Sequence, residues 1–305
     1  MNIANSSKIR VGNESIVSNA LKQWNLSEEK VTLLYESINS TTWKIGEKYI
    51  MKCNSNKEQL LKNIHLSNHL LSENITTPVY IVNASRQLMF SNIFCGLMER
   101  VPGSHIDFHA HPELIRKLGS ELARLHIAFI NIESKYNVHA DNDFLTELEN
   151  CIKLGLANVS DEILKHVESE LLFKHLNLPR QMIHKDVHPQ NIMFHEGETS
   201  GWLDFDLVCK DIRIFDIAHL LDSLILERHN NHLTIGAWHK MWTDLLTGYN
   251  EISSLTCEEI EILPVLMVAI EVWYAAYWQN NNYSEGSKKA SLLAKWLYDN
   301  CVKRK

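Results

Sequence analysis

Apolar positions recur along this chain with two different periods. From about 12 to 25, Ile16, Ala20, Leu21 and Trp24 share one face at helical spacing. The stretch 31–53, VTLLYESINSTTWKIGEKYIMKC, then becomes β-rich. Short runs at Val31–Tyr35, Thr42–Ile45 and Tyr49–Cys53 are separated by turns at Ser37–Ser40 and Gly46–Lys48. A helical pattern returns over Lys57–Leu71, followed by two strand-like runs, Val79–Val82 and Leu88–Phe94. Beyond Gly103 the helical period dominates: Pro112–Phe129, Asp143–Gly155, Asp161–Leu176, Phe215–Arg228, Leu233–Tyr249, Cys257–Trp278 and Ser287–Cys301. The expected class is α+β, with a small strand-rich lobe carrying one helix over 1–101 and a larger helical lobe over 102–305.

The strongest chemical signal interrupts this helical half. Residues 183–206, IHKDVHPQNIMFHEGETSGWLDFD, contain an H-x-D-x-x-x-x-N string, then a hairpin-like turn and L-D-F-D. Phosphoryl transfer calls for one carboxylate to orient the attacking hydroxyl, with an amide and a second carboxylate to hold magnesium against the nucleotide phosphates. Asp186, Asn191 and Asp204 have those side chains in that order. Alone, Asp186 reads equally as a turn aspartate; in register with the other two, the catalytic reading prevails. On an extended segment Asp204 and Asp206 point to one side, where two carboxylates repel unless a cation separates them. Asp206 alone reads equally as a solvated turn residue.

Other candidates are weaker. Lys52, ending YIMKC, is either an ordinary strand lysine facing water or a cation for nucleotide phosphates. The glycine-free turn from Ser37 through Asn39 and Ser40 to Thr41 is a weak phosphate cradle. His184 and His188 lack further local ligands for zinc, and His109 and His111 read as a loop before the Pro112 helix. Trp273, Tyr274, Tyr277 and Trp278 at helical spacing fit core packing better than a pocket wall.

A net charge of −7 excludes a basic field for nucleic acid. Six cysteines without a C-x-x-C pair fit reduced thiols, and the first residues have no apolar signal region, so a cytoplasmic location is expected. The most apolar run, Ile262–Trp278, is interrupted by Pro264 and Glu271 and reads as a buried helix rather than a membrane span.

LGSELARLHIA (118–128), MIHKDVHPQNIMF (182–194), GWLDFDLVCKDIRIFDIAHLL (201–221), YIMKC (49–53) and LMERVPG (97–103) together resemble the aminoglycoside phosphotransferase and choline kinase superfamily. Its members are small-molecule kinases with a protein-kinase-like two-lobe fold. The resemblance implies that Asp186 is the catalytic aspartate and that Asn191 and Asp204 bind Mg2+. It implies that Lys52 meets the α/β-phosphates of ATP or GTP and that the Ser37–Thr41 turn covers them. Glu99 and Val101 would hold the base through backbone groups, Asp216 would brace the catalytic loop, and helices beyond about 222 would build the acceptor pocket. Three departures stand out. Lys185 occupies a position where relatives often have glycine. No glutamate falls at 64–68 to pair with Lys52. L-D-F-D replaces the D-F-G of protein kinases with no activation segment after it, which favours a small-molecule acceptor.

The sequence therefore predicts a nucleotide- and magnesium-dependent kinase acting on a hydroxyl of an aminoglycoside-like, amino-alcohol or sugar acceptor. Two rivals stay open: a nucleotide-binding pseudokinase scaffold, and a metal-dependent hydrolase built on the His and Asp residues.

Overall fold

The computed structural model describes residues 12–37, 39–85, 87, 94–133, 143–155, 158–172, 178–226 and 234–303. The chain forms two compact units, one of residues 1–103 with 200–206, the other of 104–199 with 207–305. The segment 200–206, which carries Asp204 and Asp206, thus belongs with the strand-rich unit.

In the first unit, helix α1 (Glu14–Leu21) starts at Asn13, whose side chain accepts from the Ile16 N–H. Strands β1 (Val31–Glu36), β2 (Ser40–Ile45) and β3 (Tyr49–Asn54) follow as an antiparallel meander. Helix α2 (Lys57–Ser72) is capped by Asn56, whose side chain accepts from the N–H groups of Glu58 and Gln59. Strands β4 (Tyr80–Ile81) and β5 (Phe94–Glu99) complete a five-stranded sheet in the order β1-β2-β3-β5-β4. The strand expected over Leu88–Phe94 lies almost wholly outside the described residues. The observed β5 begins where that expectation ends and runs through CGLME. Trp43, Ile45, Met51, Cys53, Cys95 and Leu97 form a buried cluster with Val17, Leu21 and Trp24 of the α1 region. The central position of β3 makes Lys52 a buried residue, 6% exposed, rather than a strand lysine facing water.

The second unit is built from helices α3 (Ile115–Glu133), α4 (Phe144–Lys153) and α5 (Asp161–Val167). Two antiparallel strands, β6 (Arg180–Ile183) and β9 (Cys209–Ile212), pair in this unit, which also holds β7 (Ile192–His195), while β8 (Glu198–Trp202) runs on into the 200–206 segment of the first unit. Helices α6 (Ile214–Leu226), α7 (Ile235–Ile252), α8 (Cys257–Asn280) and α9 (Ser284–Leu297) complete it. Helices α3 and α7 approach backbone to backbone through glycines. A Cβ on Gly119 would strike the Leu245 carbonyl, and one on Gly248 would strike the Arg116 carbonyl.

Helix α8 opens with a capping box in which Thr256 and Glu259 satisfy each other's backbone N–H groups. Glu259 is fully buried and also holds Arg213, with Nε–Oε1 at 2.9 Å. By length and composition α8 is apolar enough to cross a membrane, but 67% of its most apolar window is buried inside the protein. Its aromatic run departs from the expected core packing. Tyr277 is 40% exposed, and Trp273, Tyr274 and Trp278 are half-buried.

Candidate active site

After β6 the chain turns sharply. Lys185 has φ of 68°, a left-handed conformation that costs a residue with a Cβ on the order of 1 kcal/mol and that glycine adopts freely. The turn is held by Asp216 of α6, which is fully buried. Its Oδ2 accepts the His184 N–H and its Oδ1 the Lys185 N–H, each at 2.8 Å. His126 Nε2 lies 3.0 Å from the same carboxylate, and Tyr249 Oη lies 2.7 Å from His126 Nδ1. Burial opposes the charge of Asp216, yet His126 and His184 outweigh it and keep the carboxyl below its usual range. The Lys185 ammonium is turned away into an ion pair with Asp211 and sits 4.0 Å from the Phe215 ring centroid.

Asp186 and Asn191 are brought together by the single 3-10 turn Pro189–Asn191. The Asn191 amide nitrogen donates to the Asp186 carbonyl at 2.9 Å and to Asp186 Oδ2 at 3.0 Å, and His188 Nε2 lies 3.0 Å from it. These bonds occupy the amide nitrogen and not Asn191 Oδ1. Burial pushes the Asp186 carboxyl up, but His188, 3.6 Å away, with His219 and His184 holds it well below the ordinary carboxylate range. His219 is itself kept neutral by burial. It donates from Nδ1 to the Val187 carbonyl at 3.1 Å, and the Tyr274 hydroxyl lies 2.9 Å from its Nε2.

Asp186 opens onto a cavity of about 500 Å³. His188 and Pro189 line it from the loop, His219 and Asp222 from α6, Glu271, Tyr274 and Trp278 from α8, and Lys289 from α9. Sequence reasoning missed Asp222 and used Glu271 only as an interruption of an apolar run. A carboxylate inside an apolar helix was the available signal, because such residues are rarely buried without a reason.

In the strand-rich unit Lys52 meets two carboxylates, Asp204 Oδ1 at 2.9 Å and Asp206 Oδ2 at 2.7 Å. Burial opposes the lysine's charge, but the two aspartates outweigh it and hold its pKa above the ordinary value. Asp204 has φ of 58°, so the L-D-F-D segment turns here and is not extended. The two carboxylates meet through that turn rather than through strand alternation. Helix α2 presents Asn63, which donates to Asp206 Oδ1, and Gln59, which donates to the Asp206 carbonyl at 2.6 Å. Both Asp206 oxygens are therefore engaged, whereas Asp204, 39% exposed, keeps Oδ2 for another partner.

The remaining candidates of this unit are spread out. Ser37 donates its N–H to the Ser40 carbonyl at 2.8 Å, and Ser40 donates its N–H to Ser37 Oγ at 3.1 Å. Those two amides are thus spent inside the turn. Asn39 is exposed, and its carbonyl accepts the Ser55 N–H at 2.9 Å. Glu99 ends β5 with its N–H on the Val79 carbonyl at 2.9 Å. Glu99 and the buried Val101 line a separate cavity of about 530 Å³ with Glu47, Lys48 and Tyr49.

Asn191 Oδ1 in one unit and Asp204 Oδ2 in the other are each a hard oxygen donor of the kind Mg2+ and Ca2+ prefer. Among the described residues no three His, Cys, Asp or Glu side chains cluster as a metal site, so the histidines of the loop do not assemble a zinc centre.

The chain is similar to known phosphotransferases. A homoserine kinase of Chelativorans sp. is 41% identical over 91 residues, covering 30% of this chain and 26% of the relative. A homoserine kinase of Brucella anthropi is 26% identical over 249 residues, covering 76% of this chain and 72% of the relative. The chain spans from about a quarter to three fifths of the length of the first curated relatives, 26%, 33% and 62%. Among solved structures, an amicoumacin kinase in complex with AMP-PNP and Ca2+ superposes with a TM-score of 0.73 at 18% identity, covering 95% of each chain. A GDP complex of an aminoglycoside 2'-phosphotransferase superposes with a TM-score of 0.71 at 11% identity, covering 96% of this chain and 99% of the other. These likenesses carry the expected kinase-like α+β fold. The model of the phosphotransferase enzyme family matches residues 36–243, well over half of the sequence, and the chain belongs to that family.

Proposed function

We propose that this protein transfers the γ-phosphoryl group of a nucleoside triphosphate to a hydroxyl group of a small molecule. The observation that carries the reading is Asp186: an ionised carboxylate, aligned by Asn191, on a loop braced by Asp216, opening into a cavity of small-ligand size. In this reading the acceptor lies in that cavity and its hydroxyl donates to Asp186, which orients it and takes its proton as the oxygen attacks. Lys52 neutralises phosphate charge, and the backbone around Glu99 and Val101 receives the purine base. The Ser37–Ser40 turn, with Asn39 at its tip, covers the phosphates by its shape and remaining donors. Asn191 and Asp204 would hold the divalent ions, which supply charge neutralisation at the phosphates.

Homoserine kinases among the curated relatives support a small hydroxy amino acid as the first acceptor to test. The kinase reading is favoured over the pseudokinase scaffold because a pure binder has no use for an aligned carboxylate facing an open cavity. The test is acceptor-dependent nucleotide consumption across homoserine, amino alcohols, aminoglycosides and sugars. Asp186→Ala is expected to lose about 10²–10⁴ in turnover with nucleotide affinity nearly unchanged. Full turnover in that variant, or nucleotide binding with no transfer to any acceptor, rejects the proposal.

A further inference from the structure

The residue before Asp186 adopts a backbone conformation that its side chain has to justify. Lys185 has φ of 68°, in the left-handed region that a residue with a Cβ enters only at a cost. Such a conformation persists where surrounding contacts over-determine it. Here the contacts come from the lysine's own side chain, which is 10% exposed. Its ammonium pairs with Asp211 of β9, a fully buried carboxylate. The same ammonium lies 4.0 Å from the ring centroid of Phe215 on α6 and 5.1 Å from that of Phe144 on α4. The two rings meet edge to face, with centroids 5.0 Å apart. Asp211 Oδ2 also accepts the Phe144 N–H at 3.1 Å, so the acid holds the start of α4 as well as the lysine.

Phe215 also reaches the other side of Asp186. It stacks on His219 one turn further along α6, with centroids 6.0 Å apart and planes 18° apart, and His219 donates to the Val187 carbonyl at 3.1 Å. Positions 185 and 187 are therefore both tied to α6 through side chains, while Asp216 holds the N–H groups of 184 and 185. We propose that Lys185 is a positioning residue for phosphoryl transfer. Its clamped side chain locks the turn before Asp186 and so fixes the direction in which that carboxylate faces the acceptor cavity. The inference rests on reading Asp186 as the residue that receives the acceptor's hydroxyl.

Two other roles for this lysine fit the geometry less well. A phosphate ligand needs a free ammonium, whereas this one is enclosed between a carboxylate and two rings. A field acting on the charge of Asp186 is largely cancelled by Asp211, the acid in direct contact with the ammonium. What remains is mechanical. With its backbone N–H on Asp216 and its ammonium on Asp211, Lys185 leaves the peptide entering Asp186 little freedom to rotate. That restraint matters because a misplacement of about 1 Å between reacting groups costs on the order of 10²-fold in rate.

The test uses the full chain as wild type, Lys185→Gly, Lys185→Met and Lys185→Arg. Lys185→Gly combined with Asp211→Asn serves as a variant that leaves no unpaired buried charge. Hydrogen exchange over residues 183–191 reads the loop without turnover, and steady-state kinetics read kcat and KM separately. Lys185→Gly and Lys185→Met are expected to exchange faster over this segment. They should lose about 10–100-fold in kcat, with KM for nucleotide and acceptor changed by no more than about twofold. Lys185→Arg should stay within about threefold of wild type, because a guanidinium keeps the charge and stacks on aromatic faces. The double variant should unfold close to the wild-type temperature and still show the loss in kcat, which a merely structural ion pair would not produce. Wild-type kcat in Lys185→Met or in the double variant, unchanged exchange, or a loss confined to KM overturns the proposal and leaves the phosphotransfer reading standing. If wild type itself transfers phosphate to no acceptor, the reading of Asp186 fails and this proposal falls with it, so the two failures are distinct.

Discussion

Lys52 Nζ lies 2.7 Å from Asp206 Oδ2, so the buried lysine finds its second anchor in the L-D-F-D turn and not on helix α2. The helix still takes part, but through amides: Asn63 and Gln59 hold Asp206, and Asp206 holds the lysine. This answers the absence of a glutamate at 64–68. It also gives the two aspartates different work, Asp206 as the lysine's partner and Asp204 as the residue with an oxygen to spare.

A double-mutant cycle tests this arrangement. Asp206→Asn and Lys52→Met are expected to couple by about 1–3 kcal/mol in nucleotide affinity, because each removes the other's partner in a poorly solvated site. Asn63→Ala should produce a smaller loss in the same direction. Additive effects of the Lys52 and Asp206 changes, measured by nucleotide titration, would contradict the pairing.

Asn191 both aligns Asp186 and offers Oδ1. Asn191→Ala is expected to reduce activity or divalent-metal affinity by about 10–100-fold, the usual size for a residue that orients a reacting group. Raising Mg2+ should recover part of the loss. Metal titrations of wild type and variant with identical midpoints would argue against the second role.

Gly248 lets α7 touch α3, and that contact brings Tyr249 to His126 and so to the Asp216 brace. Gly248→Ala should therefore destabilise the protein by about 1–3 kcal/mol through overpacking. Thermal unfolding checks this, and an unchanged midpoint would mean that the helices have room to separate.

Glu271 predicts an unusual pH profile. Its folded-state pKa is raised from 4.5 to about 8 by burial. Between those values the unfolded state ionises first, so stability falls as pH rises, at a slope on the order of 1.4 kcal/mol per pH unit at most. Glu271→Gln should flatten unfolding midpoints across pH 5–8. Asp216 behaves oppositely. Its pKa is lowered, so its contribution is complete above the ordinary aspartate range and disappears only as pH falls through its depressed value. It adds no slope near neutrality.

Much of the fold was legible because it is local. Helix α2 runs from Lys57 to Ser72 against an expected Lys57–Leu71, and β1, β2 and β3 lie within two residues of their expected ends. Periodicity and a side-chain cap are short-range facts. The pairing within the H-x-D-x-x-x-x-N string was legible for the same reason: five residues and one 3-10 turn fix Asn191 beside Asp186. Two expectations failed where remote packing intervened. The aromatic run of α8 was assigned to the core, but part of it faces the cavity. The L-D-F-D segment was read as extended, yet Asp204 takes a left-handed turn.

By itself the sequence determined which chemical groups stand on which local element, since backbone spacing and side-chain identity act over a few residues. Only the tertiary structure decided which groups meet. Lys52 and Asp206 are more than 150 positions apart, and Lys185 meets Asp211 and Phe144 from a separate element. Their encounters depend on how whole sheets and helices bury apolar faces, a collective balance that no local pattern encodes.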